Sequence, residues 1–197
     1  MSALTQLSSI KGRLGIETFD MRDDGLLNNA IAGLSQRIGR ECNRALERAA
    51  GAVFDFRADE MALRVDRYPV EAVTSFALKT TEAEGWVVLS PMPDYFISPA
   101  RSVIELAGPL GSQRQSGRVV FDGGYVLPGT VPDAGQTALP DDLEQAVVEQ
   151  VSYWYQRRNQ LGLVTVRGDR ESVQQFKTLD LLPGVQAVMR GYERMML

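Results

Sequence analysis

The hydrophobic period of this chain changes twice, and that double switch limits the possible folds more than any single motif does. Up to about residue 47, apolar side chains recur every three or four positions; between 52 and 125 they alternate; from 141 the helical spacing returns. A helix buries a stripe and a strand buries every second side chain, so neither pattern can serve as the other. The order predicts an α+β protein: a helical core of about three helices, an inserted region of short antiparallel β-strands, and a C-terminal docking tail helix.

Helices are expected over 4–15, 23–47 and 141–161. In the first, Leu4, Leu7, Ile10 and Leu14 share a face, Thr5 is placed to cap it and Gly15 to stop it. A polar turn, "ETFDMRDDG", leads to the second, with Asp23 or Asp24 as the expected cap. Its apolar positions Leu27, Ala30, Ile31, Leu34, Ile38, Cys42 and Ala45 fall in an arc of roughly 120°. Gly33 and Gly39 weaken it and leave room for another backbone. Runs such as "AVFDFRAD" and "MALRVDRY" open the β region, and "GRVVFDGGYVLPG" closes it. A Pro/Gly-rich connection over 126–140 returns to helix. The third helix begins with Asp141 and, three residues on, Glu144, a capping-box spacing. A core over 1–161 is therefore expected, followed by a hinge and tail over 162–197. Gly168 lies in the joint and Pro183 near the first turn of a last helix.

The third helix, "PDDLEQAVVEQVSYWYQRR", carries more apolar surface than one core needs. Leu143, Val147, Val151, Trp154 and Leu161 form its central stripe; Ala146 and Tyr153 widen it on one side, Val148 and Tyr155 on the other. The arc reaches roughly 220°, about twice a one-sided stripe. Two explanations stand side by side. Either the helix is sandwiched between a sheet and the N-terminal helices, or one flank meets another subunit. On the second, Val148, Tyr153, Tyr155, Arg157 and Arg158 are the candidate interface residues, since aromatics and arginine are favoured at interface centres. The tail holds a second apolar surplus in Phe176, Leu181, Leu182, Val185, Met189 and Tyr192. A helix so apolar must dock on its own domain or on a partner.

Chemistry is excluded by composition more than suggested by motif. The 197 residues contain no histidine and one cysteine, which removes Ser-His-Asp triads, Cys-His dyads and most zinc sites. No intramolecular disulfide is possible, as suits a reducing compartment. The opening stretch lacks the apolar core of a signal peptide, and no run approaches the ~18 apolar residues of a membrane span. A cytoplasmic protein without a membrane partner is expected. The net charge of −4 argues against a role gripping nucleic acid. "FDGGY" at 121–125 is the nearest approach to an anion-binding loop, yet no helix is expected directly after it, and a turn is the simpler reading. The carboxylate pairs Asp23/Asp24, Asp59/Glu60, Glu82/Glu84 and Asp141/Asp142 read as caps or solvated turns. No cofactor, metal or catalytic residue is expected.

The order of these parts resembles the head–tail connector (adaptor, head-completion) proteins of long-tailed phages. "LTQLSSIKGRLGI" followed by "DDGLLNNAIAGLSQRIGRECNRAL" is similar to the family's opening, and "DRYPVEAVTSFAL" to its "RPV…V" strand. "GRVVFDGGYVLPG" with "LPDDLEQAVVEQVSYWYQRR" is similar to its passage into the third helix. The likeness covers residues 4–161; Phe121-Asp122 departs from the family's usual Tyr-Thr-like pair, and the β region and tail are longer than in compact members. The length resembles the larger connectors of siphophages, prophages and gene transfer agents. The resemblance implies a ring, usually of twelve subunits, between the portal protein and a tail-side stopper or terminator. It implies subunits packed through the helical core, C-terminal segments engaging the portal, with Phe176, Leu181, Leu182, Val185, Met189 and Tyr192 as the candidate portal-docking residues, and a lumen passing DNA as non-specific cargo. Such a protein is cytoplasmic during assembly and then sits at the head–tail junction of the particle. The competing classes are a small regulatory or nucleic-acid-binding module and a carboxylate-dependent hydrolase using Asp59 or Asp94.

Overall fold

The first of two structural units is built on α1 (Leu7–Leu14), α2 (Asp24–Glu41), α3 (Asp141–Gln156) and α4 (Pro183–Tyr192). It spans Met1–Cys42 and Leu139–Glu193; the second spans Asn43–Ala138 with Arg194–Leu197. The computed structural model describes residues 3–158, 163–165, 175–176 and 181–194.

In the first unit, α1, α2 and α4 all pack on α3. Leu143, Val147 and Val151 of α3 are buried, together with Ile10, Leu27, Ile31, Leu34 and Ile38 of the N-terminal helices and Val185 and Met189 of α4. Gly15 stops α1 in the left-handed conformation, at φ 68°, as its position predicts. Pro183 occupies the first position of α4, where its missing N–H costs nothing.

The expected caps turn out differently. None of α1, α2 or α3 has a side-chain cap hydrogen bond. Thr5 Oγ1 donates instead to Glu144 Oε1 at 3.0 Å, tying the segment before α1 to α3. The Asp23 carboxylate accepts from Tyr155 Oη at 2.5 Å, tying the start of α2 to the end of α3. In each case a partner distant in sequence replaces a local N–H, because the helices approach closely enough to offer one. The second helix also ends six residues earlier than 47: Cys42 is its last cap, and Asn43, at φ 50°, turns the chain out of the helix. A Cβ added at Gly33 would meet nothing within 4 Å, so no backbone of another element among the described residues approaches there.

The second unit carries β1 (Ala49–Arg57), β2 (Ala62–Arg64), β3 (Val70–Lys79), β4 (Val87–Val88), β5 (Tyr95–Ile97), β6 (Val103–Leu106), β7 (Ser116–Gly123), β8 (Tyr125–Val126) and β9 (Thr137–Ala138). A four-stranded antiparallel sheet runs β1-β7-β3-β4, and a three-stranded one β2-β6-β5. β8 and β9 form a short parallel pair. The alternation in "GRVVFDGG" is realised on β7: Gly117, Val119, Phe121 and Gly123 face the core. There Phe56, Phe76, Phe121, Leu63, Val65 and Ile104 interlock. On the outer face, Arg118 of β7 sits opposite Asp55 of β1 and binds it with a two-pronged contact at 2.6 and 2.8 Å. That hydrogen bonding holds the Asp55 carboxyl below its ordinary range, and Arg118 also lies 4.0 Å from the Trp86 ring centre. In the first unit, β10 (Leu163–Thr165) and β11 (Gln175–Phe176) form one further antiparallel pair. The whole is an α+β fold.

Candidate interaction surfaces

At the glycine pair 123–124, the backbone donors of Gly124 and of Tyr125 after it are already engaged. Gly124 N donates to Pro69 O at 3.0 Å and Tyr125 N to Leu46 O at 2.8 Å. No helix follows; β8 does. The pair exists for close packing, since a Cβ at Gly123 would lie 2.9 Å from two backbone carbonyl oxygens. Asp59, a candidate for hydrolysis, is held by Arg57 at 2.9 Å. Among the described residues no three histidines, cysteines, aspartates or glutamates gather as metal ligands, and no helix is long and apolar enough to cross a membrane. Cys42 is buried, with its Sγ 3.7 Å from Met189 O.

The wide apolar arc of α3 meets three helices of its own unit, and Val148 is buried. The aromatic end of the helix is different. Tyr153 and Tyr155 are half-buried, and Arg157 and Arg158 are exposed. Arg157 Nη1 donates to Tyr153 Oη at 3.1 Å, and its guanidinium lies 4.9 Å from that ring. Arg158 stacks on Tyr155 at 4.1 Å. Tyr153 and Tyr155 point to flanks about 160° apart at ~100° per residue, so the two Tyr–Arg pairs form separate patches.

The Tyr155 phenol is raised in pKa by its hydrogen bond to Asp23 and then by burial. The neutral phenol is thus favoured in the folded state. Its contribution is present in full below the unfolded value of 10.0 and is lost as pH rises through the higher folded value. Tyr155→Phe is expected to cost about 1 kcal/mol at neutral pH. In denaturant titrations, the gap between wild type and variant should be constant to pH 9 and close above pH 10. A gap that persists at high pH would contradict the bond.

The tail residues divide by burial. Leu181, Val185 and Met189 are buried, and Leu182 and Tyr192 half-buried. Leu182 N donates to Gln150 Oε1 at 2.7 Å, and Tyr192 Oη to Asp142 Oδ1 at 2.6 Å. α4 therefore lies on α3 in its own unit. Phe176 contributes backbone to β11, and its side chain lies outside the described residues.

The turn "ETFDMRDDG" proves less polar in effect than in composition. Phe19 and Met21 are 79% and 73% exposed, a pair of large apolar side chains two residues apart. They were missed because a polar majority signals a turn and nothing more. The one available signal was the presence of Phe and Met in a segment with no core to reach.

No protein-family model matches the chain, and no curated protein matches it. Solved structures do. The chain is similar to one from the neck of an empty gene transfer agent particle, computed with C6 symmetry, at 16% identity and TM-score 0.57, covering 96% of this chain and 89% of the other. A chain in the neck of the native particle, computed with C12 symmetry, matches at 18% identity and TM-score 0.52, covering 97% and 89%. One in the virion of the native gene transfer agent matches at 19% and 0.55, covering 96% and 89%. At these identities the likeness establishes a shared fold over nearly the whole of both chains.

Proposed function

We propose that this protein is a structural component of the neck of a phage or phage-like particle, a head–tail adaptor that assembles as a ring between portal and tail. The observation that supports this best is the near-complete coverage of both chains in the match to gene transfer agent necks. Necks that permit C6 and C12 averaging are built of repeated subunits around an axis. A closed ring of one chain needs two different, complementary patches on each copy. The opposed Tyr153/Arg157 and Tyr155/Arg158 flanks of α3 are candidates for them.

In this reading the ring encloses a lumen for DNA. A net charge of −4 suits a surface past which a polyanion must slide. A tail-side stopper or terminator would meet the opposite rim. The portal is approached by the C-terminal segment from residue 162. Because Leu181, Val185 and Met189 are buried in the first unit, portal contact falls to the exposed positions of α4 and to residues ahead of it. Mixing the full chain with the portal protein of the same particle should give a joint, fast-sedimenting species. Separate sedimentation at every ratio would contradict the adaptor role.

A further inference from the structure

We propose that the loop from Gly15 to Asp23 of one copy docks on the Tyr153–Arg157 flank of α3 in the next copy, with Phe19 and Met21 against the Tyr153 ring and Glu17 facing Arg157. The proposal rests on the ring reading and names the contact that would close the ring.

The loop is pinned from beneath. Lys11 is buried, at 3% exposure, and its ammonium donates to Thr18 O at 3.2 Å and Asp20 O at 2.8 Å while pairing with Asp24 at 2.6 Å. Burying a lysine is costly unless each donor finds an acceptor, and here the acceptors are the loop's own backbone. Asp20 holds Arg22 through contacts at 2.6 and 2.9 Å. Asp23 is fixed by Tyr155. A loop so held presents Phe19 and Met21 in one arrangement, which removes much of the ordering cost of binding. Leu26, 50% exposed in the first turn of α2, extends the apolar surface.

Charge selects the receiving surface. Within the loop and its flanks, Asp20 is paired with Arg22 and Asp24 with Lys11, while Asp23 accepts from Tyr155, on which Arg158 stacks. Glu17 is exposed and has no ion-pair partner among the described residues. On the other flank of α3, Arg157 is exposed, stacks on Tyr153 and has no carboxylate partner among the described residues. Each patch therefore supplies what the other lacks: two apolar anchors and an acid on the loop, an aromatic face and a guanidinium on the helix. Because the patches lie on opposite sides of α3, the contact is head-to-tail and propagates around a ring instead of closing a pair.

Single cysteines at Thr18 and Gln156, both exposed and both sparing the proposed contacts, allow a direct test on the full chain with a short bis-maleimide cross-linker. Native Cys42 is 1% exposed and stays unreactive. The variant carrying both Thr18→Cys and Gln156→Cys should give a ladder of dimers, trimers and larger species. Each single variant alone should stay monomeric on the gel, and a mixture of the two should stop at dimers. Adding Phe19→Ser should reduce the ladder by about tenfold without altering the circular-dichroism spectrum, and Arg157→Glu should do the same unless paired with Glu17→Arg. Dimers from Thr18→Cys alone would mean a symmetric contact and overturn the proposal, as would a ladder indifferent to Phe19→Ser. Rings visible by electron microscopy without a ladder would overturn this contact and leave the ring reading standing. Neither rings nor ladder, alone and in the presence of the portal protein, would overturn both.

Discussion

Gly124→Ala should destabilise the β-rich unit by about 3 kcal/mol or more, the sum of backbone strain and a steric conflict. Gly124 sits at φ 100°, where an L side chain is disfavoured by roughly 1–2 kcal/mol. A Cβ there would also lie 2.7 Å from Glu47 O, 2.8 Å from Arg48 Cα and 2.9 Å from Arg48 N. All three are backbone atoms, and they cannot yield cheaply. Arg48 N donates to Tyr125 O and Tyr125 N to Leu46 O, both at 2.8 Å, so retreat breaks the bonds that seat β8. Gly85 is the control. It has φ 70° but nothing within 4 Å of a Cβ, so Gly85→Ala should show the strain alone. Each unit contains one tryptophan, Trp86 in the second and Trp154 in the first, so Trp→Phe variants let fluorescence follow each unit in urea. Equal losses for the two glycine variants would contradict the close approach at Gly124.

Val185→Asp should destabilise the helical unit by about 4 kcal/mol, because a carboxylate would replace a fully buried apolar side chain. Val185 is 0% exposed, and its neighbours Leu181 and Met189 are 3% and 5%. The bond from Leu182 N to Gln150 Oε1 is coupled to this packing, since Gln150 is itself 0% exposed and loses its partner if α4 lifts. The transition reported by Trp154 should fall while that reported by Trp86 stays within error. A Trp154 transition that does not move would mean that α4 is detached in solution, free to be placed by a partner. In that event, portal co-sedimentation and not stability would be the property that Val185→Asp impairs.

What could be read from the residues alone followed their locality. Gly15 and Pro183 perform the roles their positions imply, because a left-handed stop and a missing N–H are decided within one turn of chain. The α+β order and the core face of β7 follow from periodicity, which is likewise local. Thr5, Asp23 and Glu144 were read as caps because the best local partner of such a group is a helix N–H; their real partners lie more than a hundred residues away. The second helix was carried to 47 by apolar spacing that continues past Asn43, although Ala45 and Leu46 serve the other unit. The 220° arc of α3 was visible, yet nothing in it said that α4 would return to cover one side. Phe19 and Met21 were hidden by the polar residues around them, and their exposure depends on a lysine buried beneath the loop.

The ring itself is the central claim, and electron microscopy of the full-length protein tests it most directly, alone at rising concentration and with the portal protein of its particle. Closed rings whose class averages show sixfold or twelvefold rotational symmetry, the symmetries used for the similar necks, are the expected result. A chain that remains monomeric under both conditions and adds no density to the portal would contradict it.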